Sequence, residues 1–281
     1  SRHTDYKILI CEKHNSINVS EGYGIQLSVN SVELLNKIGF DNIDQLNKFN
    51  PHNIDFYSLQ KKQKICDLDI SKFNSNNSKY TTIRRSTLIN FLKEKLPSNI
   101  IEYSKKIKKI NDKKKVVELT FENDSSLECD YLIICDGVFS STKTLVVKKN
   151  FNPIYSNSIA IRGTINKKNL ENINYKNISL FLGSNLHSVI YPIDKSDEFN
   201  FITILEKNLI KDKLQIYSLT NDSNFVSSVL RGLSNQIDQK IIKNINDIKC
   251  FPIFISNKIQ EPRHKNIFLI GDAFFAFPPS F

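Results

Sequence analysis

Three apolar runs, each only as long as a strand, stop at an acidic residue, and this recurrence constrains the fold more than any other feature. Tyr6 to Cys11 runs into Glu12, Tyr131 to Cys135 into Asp136-Gly137, and Asn266 to Ile270 into Gly271-Asp272. Tyr131 to Cys135 is unbroken, the kind of run a parallel sheet buries on both faces, and the other two, interrupted only by Lys7 and led by Asn266, also read as buried strands. In open α/β folds, ligands sit beyond the carboxyl ends of such strands. A carboxylate there can accept hydrogen bonds from both hydroxyls of a ribose, and a glycine lets the backbone approach a ligand closely. Each motif alone also has a plainer reading. A strand can end in an acid for solubility, and Asp-Gly can be no more than a turn.

Between these runs the pattern changes twice. Gly22-Tyr23-Gly24 reads as a backbone hinge, and Val32, Leu34, Leu35 and Ile38 fall at helical spacing before Gly39, which closes the helix. Ile43 to Tyr80 is weakly periodic and rich in asparagine, as extended segments and turns are. Ser86 heads a second helix with Leu88, Ile89, Phe91, Leu92 and Leu96 on its buried side, and Pro97 ends it. Val116 to Phe121 and Ser126 to Cys129 form a hairpin around Asn123-Asp124. Then come four short strand-like runs, Ser158 to Ile165, Ser179 to Leu182, Ser188 to Pro192 and Asn200 to Leu205, expected as an antiparallel sheet. A helical segment from roughly Asn224 to Ile242 and a strand to Ile255 complete the middle. The order is α/β, then a β-rich insertion, then a return to α/β. Residues 1–150, 151–258 and 259–281 are the expected divisions.

The 281 residues carry a formal charge of +10, which raises the question of a nucleic-acid-binding module. The densest lysine cluster, Lys105 to Lys115, brackets an expected turn at Asn111-Asp112 and reads as a solvated face rather than a phosphate track. No apolar stretch approaches the roughly 20 residues that cross a bilayer. The five cysteines, Cys11, Cys66, Cys129, Cys135 and Cys250, form no C-x-x-C pair, which argues against a disulfide framework or a zinc site. A reducing cytoplasm is the expected home, with Cys11 and Cys135 as small buried apolar residues. The chain contains no methionine and stops two residues after Pro278-Pro279, so a fragment of a longer protein is expected.

Taken in order, the motifs resemble one family. Glu21-Gly22-Tyr23-Gly24-Ile25-Gln26-Leu27-Ser28-Val29-Asn30-Ser31 is similar to the G-A-G-I-Q-L-S-P-N-A segment of the flavoprotein aromatic hydroxylases, the salicylate hydroxylase-like branch in particular. Arg84-Arg85-Ser86-Thr87-Leu88 resembles their H-R-x-x-L. Asp130-Tyr131-Leu132-Ile133-Ile134-Cys135-Asp136-Gly137 resembles their D-L-V-I-G-A-D-G. Arg162-Gly163 and Tyr191-Pro192 match motifs of the substrate-domain sheet, and Gly271-Asp272-Ala273 with Pro278-Pro279 resembles G-D-A-A-H-A-x-P-P.

The resemblance implies a Rossmann-like FAD-binding domain with a parallel sheet and an inserted antiparallel β-sheet substrate domain. It implies Glu12 for the adenosine ribose, Arg85 for the pyrophosphate, Asp272 for the ribityl or pyrophosphate side, and Gln26, Asp136, Gly137 and Gly271 around the same cofactor. FAD would react as its hydroperoxide, with NAD(P)H and O2 as co-substrates and an electron-rich aromatic small molecule as substrate. Phe274, Phe275 and Phe277 are candidates for an apolar pocket. No residue can be named as the catalytic base: His187 and Tyr191, expected on neighbouring strands by the pocket, are candidates, and a structural hydrogen bond is the plainer reading of each. A ubiquinone-pathway ring hydroxylase or an epoxidase would share this fold. A halogenase would need a tryptophan motif, and the chain has no tryptophan. Phe275 stands where the family has histidine, Val29 where it has proline, and Ile134-Cys135 where it has a small Gly-Ala pair. The glycine-rich phosphate loop expected about 20 residues before Glu12 lies outside the sequence, and Ser1 to Asp5 would be the tail of the helix after that loop.

Overall fold

The computed structural model describes residues 6–17, 19, 23–147, 152–209, 216, 220, 222–233, 237–259 and 265–279. The expectations for Ser1 to Asp5, for Gly22 and for 234–236 of the middle helical segment lie outside the described residues. In chain order the first strands are β1 (Ile10–Cys11), β2 (Gly24–Leu27), β3 (Lys48–Phe49), β4 (Asn53–Ser58), β5 (Gln63–Asp69) and β6 (Thr81–Arg84). Next come β7 (Ile101–Glu102), β8 (Ile107–Asp112), β9 (Val117–Phe121), β10 (Ser126–Cys129) and β11 (Leu132–Ile134). The last are β12 (Ile154–Asn166), β13 (Ile178–Leu182), β14 (Leu186–Pro192), β15 (Glu198–Glu206), β16 (Asn246–Ile255) and β17 (Ile267–Leu269). The helices are α1 (Val29–Asn36), α2 (Arg85–Glu94), α3 (Ser141–Val147), α4 (Ser223–Leu233) and α5 (Gln239–Lys243).

Two compact units emerge, one of residues 1–17, 96–156 and 253–281, the other of 18–95 and 157–252. The difference from the expected block 1–150 is that 18–95 packs with the middle sheet. The reason is a pairing between segments distant in the chain: β4, from the asparagine-rich stretch, lies beside β13, so this segment extends the large sheet.

In the first unit β1 lies parallel to β7 and β11 parallel to β17, and β8, β9 and β10 form an antiparallel meander. Val117, Leu119, Phe121, Ile134, Val146, Ile267, Leu269 and Ala273 make the core. The expected burial on both faces does not hold. Tyr131 is 61% exposed, Ile133 59%, Phe268 47% and Ile270 50%. Alternate residues of a strand point to opposite faces; Ile134, Ile267 and Leu269 reach the core, and no described element covers the other side. Tyr6, Ile8 and Ile10 are exposed for the same reason, and the regular strand there shrinks to Ile10–Cys11. Cys135 is exposed rather than buried, while Cys11 is half-buried against the core.

The hairpin turns at Asn123-Asp124 as expected, with Asp124 at φ 61°. Asn111-Asp112 instead ends β8, and the turn falls two residues later, where Lys113 N donates to Val116 O at 3.0 Å and Lys114 has φ 70°. The lysines on this meander meet carboxylates: Lys106 with Glu122, Lys108 with Asp124, and Lys113 with Glu118 and Glu128.

The second unit is built on a seven-stranded sheet in the order β16-β12-β15-β14-β13-β4-β5. Its centre is the expected antiparallel set, and only β13 with β4 runs parallel among the registered pairs. On one face Ile159, Ile161, Ile165, Ile190 and Phe201 are wholly buried. Gly163 lies on that face, and a methyl group there would come within 2.3 Å of Ile245 Cγ2 and 2.7 Å of Asn246 O. Beside the large sheet, β2, β6 and β3 form a small antiparallel one, carrying α1 and α2 over a core of Val32, Phe40, Ile83 and Phe91.

Two helix details differ from expectation. Of the apolar positions in α1, Val32 is buried and Leu35 packs on the core, while Leu34 is exposed, as is Ile38 beyond the helix end. Helix α2 begins at Arg85 rather than Ser86 with no side-chain cap, because Tyr23 O accepts the Arg85 backbone N–H at 2.8 Å.

Gly163→Ala is expected to destabilise the protein by about 2 kcal/mol, since the obstructing atoms include backbone. Gly232→Ala, with nothing within 4 Å of the added methyl in α4, is expected to stabilise it by up to about 1 kcal/mol. Urea denaturation of the two variants checks both signs, and a Gly163→Ala protein as stable as the parent would contradict the packing described.

Candidate functional site

Ile134 and Leu269 are register partners in the parallel pair β11–β17, and Ile270 N donates to Ile134 O at 3.0 Å. The two chains therefore leave the same end of adjacent strands as Asp136-Gly137 and Gly271-Asp272. Gly137 has φ 84° and Gly271 φ 57°, both in the left-handed region that side chains avoid. A methyl group at either position would meet nothing within 4 Å. Backbone conformation, not crowding, demands glycine here, and both backbones border open space.

Beyond each glycine the chain enters a short turn of helix. Asp136 Oδ2 accepts the backbone N–H of Thr142 at 3.3 Å, near the start of α3. Gly271–Ala273 make one turn of 3-10 helix, with Phe274 N and Phe275 N both donating to Gly271 O at 3.0 Å. Asp272 is exposed and makes no hydrogen bond or ion pair with another described residue. Lys143, one of 39 basic residues and marked out by no local pattern, is buried and donates from Nζ to Phe274 O at 3.1 Å. It ties the segment after Asp136 to the segment after Asp272. Burial pushes its pKa down.

Glu12 comes directly after β1 in the other parallel pair of the same unit. Its neighbour Cys11 packs on the core that holds Ile134 and Leu269, and its own carboxylate accepts the His14 N–H at 2.9 Å. Three of the expected carboxylates thus belong to one compact unit, two of them adjacent. The phenylalanines separate. Phe274 packs against the core, whereas Phe275 and Phe277 pair at 4.7 Å between ring centroids, with Phe277 67% exposed.

In the second unit His187 and Tyr191 lie on the same strand, β14, and not on neighbouring ones. They are four residues apart, so with Val189 they share a face. Register places Leu180 and Phe56 beside Val189 on one side and Ile202 on the other, with Leu182 and Ile204 flanking His187. The result is a half-buried apolar floor. Tyr191, only 3% exposed, is sunk at one end of it. Its hydroxyl is raised in pKa, first by burial, and bonds with Gln26. The Tyr80 hydroxyl donates to Gln26 Oε1 at 2.7 Å. Gln26 is therefore held by two tyrosines.

The adjacent arginines divide. Arg84 bridges Asp194 at 3.2 Å and Glu198 at 2.7 Å, whereas the side chain of Arg85 bonds to no other described residue. Gly24 is a point of close approach and not a hinge. Its N–H donates to Asn200 Oδ1 at 2.9 Å, its O accepts from Arg162 at 3.3 Å, and a methyl group on it would lie 2.9 Å from the Tyr191 ring. In the sequence Arg162 stands out only as part of a motif, and Asn200 carries no signal. Among the described residues no group of three or more His, Cys, Asp or Glu is placed to hold a metal ion. No helix of the described residues is long and apolar enough to cross a membrane.

No model of a known protein family matches the chain. The 3-amino-4-hydroxybenzoate 2-monooxygenase PtmB3 of Streptomyces platensis is 22% identical to it over 187 residues, 66% of this chain and 47% of that protein. The chain thus spans about half the length of such curated relatives. The structure of Klebsiella pneumoniae HpxO with FAD and uric acid superposes with a TM-score of 0.73 at 15% identity, covering 96% of this chain and 67% of that one. The 2,6-dihydroxypyridine-3-hydroxylase of Arthrobacter nicotinovorans gives 0.78 at 14% identity, covering 94% and 70%. With its parallel strand pairs, its seven-stranded, largely antiparallel sheet and these structural matches, the chain has the fold of the FAD-dependent aromatic hydroxylases.

Proposed function

We propose that the chain belongs to a FAD-dependent monooxygenase that uses NAD(P)H and O2 to hydroxylate an electron-rich aromatic small molecule. The observation that carries this reading is the juxtaposition of Asp136-Gly137 and Gly271-Asp272 at the carboxyl ends of two paired parallel strands. That is where doubly wound folds take their ligands. The residues fit a dinucleotide. Two left-handed glycines bordered by open space let a backbone come against it, and Asp272 has an uncommitted carboxylate for ribityl hydroxyls or the pyrophosphate side. Asp136 braces the turn that carries Gly137. Glu12 is the ribose acceptor. Arg85, without a carboxylate partner among the described residues, is suited to a phosphate. Gln26, fixed by Tyr80 and Tyr191, is assigned to the same cofactor.

When bound, the flavin supplies the redox chemistry, activating dioxygen with electrons from the nicotinamide. The chain's own part is placement and dryness. The floor of Phe56, Leu180, Val189, Ile202 and Ile204 offers an aromatic ring an apolar bed, and Phe275 and Phe277 are further apolar surface on the first unit. Keeping water from the reacting centre limits wasteful side reactions. The names of the similar proteins point the same way, since they carry a hydroxybenzoate, uric acid and a dihydroxypyridine.

The full-length protein is expected to purify yellow or to take up added FAD, and to consume oxygen while oxidising NADH or NADPH. A colourless protein that takes up no flavin would defeat the proposal. Asp272→Ala is expected to weaken FAD binding by about tenfold or more, the cost of one hydrogen bond to a charged group. Fluorescence titration measures this, and unchanged affinity would remove Asp272 from the site.

A further inference from the structure

We propose that Arg84 neutralises Asp194 and Glu198 so that the neighbouring guanidinium, Arg85, stays free to hold a cofactor phosphate. This rests on the monooxygenase reading above and makes Arg84 a positioning residue for that phosphate contact.

The two arginines meet at the junction of β6 and α2, where Arg84 ends the strand and Arg85 opens the helix. The backbone there is fixed without either side chain. Gly24 is the register partner of Arg84, and Arg85 N donates to Tyr23 O at 2.8 Å. The turn between β14 and β15 is likewise tied to the small sheet by other bonds. Thr82 Oγ1 donates to Pro192 O at 2.6 Å, and Lys195 N, in the turn, donates to Leu46 O at 3.2 Å. What Arg84 adds to these ties is charge.

Its Nη2 lies 3.2 Å from Asp194 Oδ2 and 2.7 Å from Glu198 Oε2. Among the described residues it is the one ion-pair partner of both carboxylates. Asp194 is buried, and its other oxygen, Oδ1, accepts the Ser196 N–H at 2.8 Å. Burial works against the charge of Arg84, but Glu198 and Asp194 outweigh it and raise the pKa. One guanidinium thus answers two acids.

A buried carboxylate that loses its partner is left with an uncompensated charge, which attracts the next cation within reach. Arg85 is that cation, its Cα about 3.8 Å from that of Arg84. No hydrogen bond or ion pair with another described residue holds its side chain elsewhere. Without Arg84, the two carboxylates would draw Arg85 toward the β14–β15 turn, and their charge would repel a phosphate. Arg84 stands where the H-R-x-x-L motif has histidine. The second guanidinium therefore belongs to this chain, along with the acids that occupy it.

The test is fluorescence titration of the full-length protein with FAD. Arg84→Gln is expected to weaken binding about tenfold. Adding Asp194→Asn and Glu198→Gln to that variant should restore affinity to within about twofold of the parent, because the charges that capture Arg85 are gone. A residue that only braced the fold would give the reverse, a triple variant at least as weak as the single one. Asp194→Asn with Glu198→Gln in the presence of Arg84 should bind FAD at least as tightly as the parent. This variant decides the matter if Arg84→Gln does not fold. Parent-like affinity in Arg84→Gln, a triple variant as weak as the single one, or weakened binding in Asp194→Asn with Glu198→Gln would each overturn the proposal. So would undiminished affinity in Arg85→Gln, since Arg85 would then hold no phosphate. A parent protein that takes up no FAD would instead overturn the monooxygenase reading beneath it.

Discussion

The parallel pairing of β11 with β17 is the constraint on which the candidate cofactor site depends. The two strands are more than 130 residues apart in the chain, and their register sets Ile134 against Leu269. A slip of β11 by one residue would turn Ile134 out of the core and bring Ile133 in. The same slip would separate Asp136-Gly137 from Gly271-Asp272. Register is held because three side chains on one face are packed among Val117, Leu119, Phe121 and Val146. Lys143 adds a second tie between the segments beyond the strands.

The second unit solves a different problem, namely how to present apolar surface on one face of a sheet while anchoring the other. Its anchored face is filled by Ile159, Ile161, Ile165 and Phe201 and approached so closely at Gly163 that no side chain fits. Two buried polar pairs lie side to side, Ser188 with Thr203 at 2.6 Å and Asn177 with Asp55 at 2.8 Å. On the presented face, Asn200 and Arg162 pin the Gly24 peptide from both sides. Gly24 opens β2, the strand that carries Gln26 against the two tyrosines. The head of that short strand, Gly24, is thus pinned by residues 138 and 176 positions away.

Much of this was legible in the residues. Continuous apolar runs ending in acid and glycine announced strands with a ligand-bearing end, and the four short runs of the middle were found at nearly the observed bounds. The hairpin at Asn123-Asp124 was readable because turn chemistry is local. Less legible was anything that depends on what covers a face. An unbroken run such as Tyr131 to Cys135 cannot say whether one face or both are covered, so Ile133 and Cys135 were expected inside and lie outside. The lysine-rich β8 carries too few apolar residues to read as a strand, and the turn after it was misplaced by two residues. Ser86 looked like a helix cap, but a backbone oxygen from Tyr23 serves that end.

By itself, then, the order of residues determined the alternation of α/β and β-rich segments and the positions at which carboxylates and glycines come after strands. Those are consequences of side-chain periodicity and backbone freedom, which act over a few residues. Tertiary structure alone decided that 18–95 joins the middle sheet, that Arg84 rather than Arg85 is consumed by Asp194 and Glu198, and that His187 shares a strand face with Tyr191. Each of these turns on pairing between distant segments. Such pairing is selected by the free energy of burying whole faces together, a quantity that no short stretch of the chain contains.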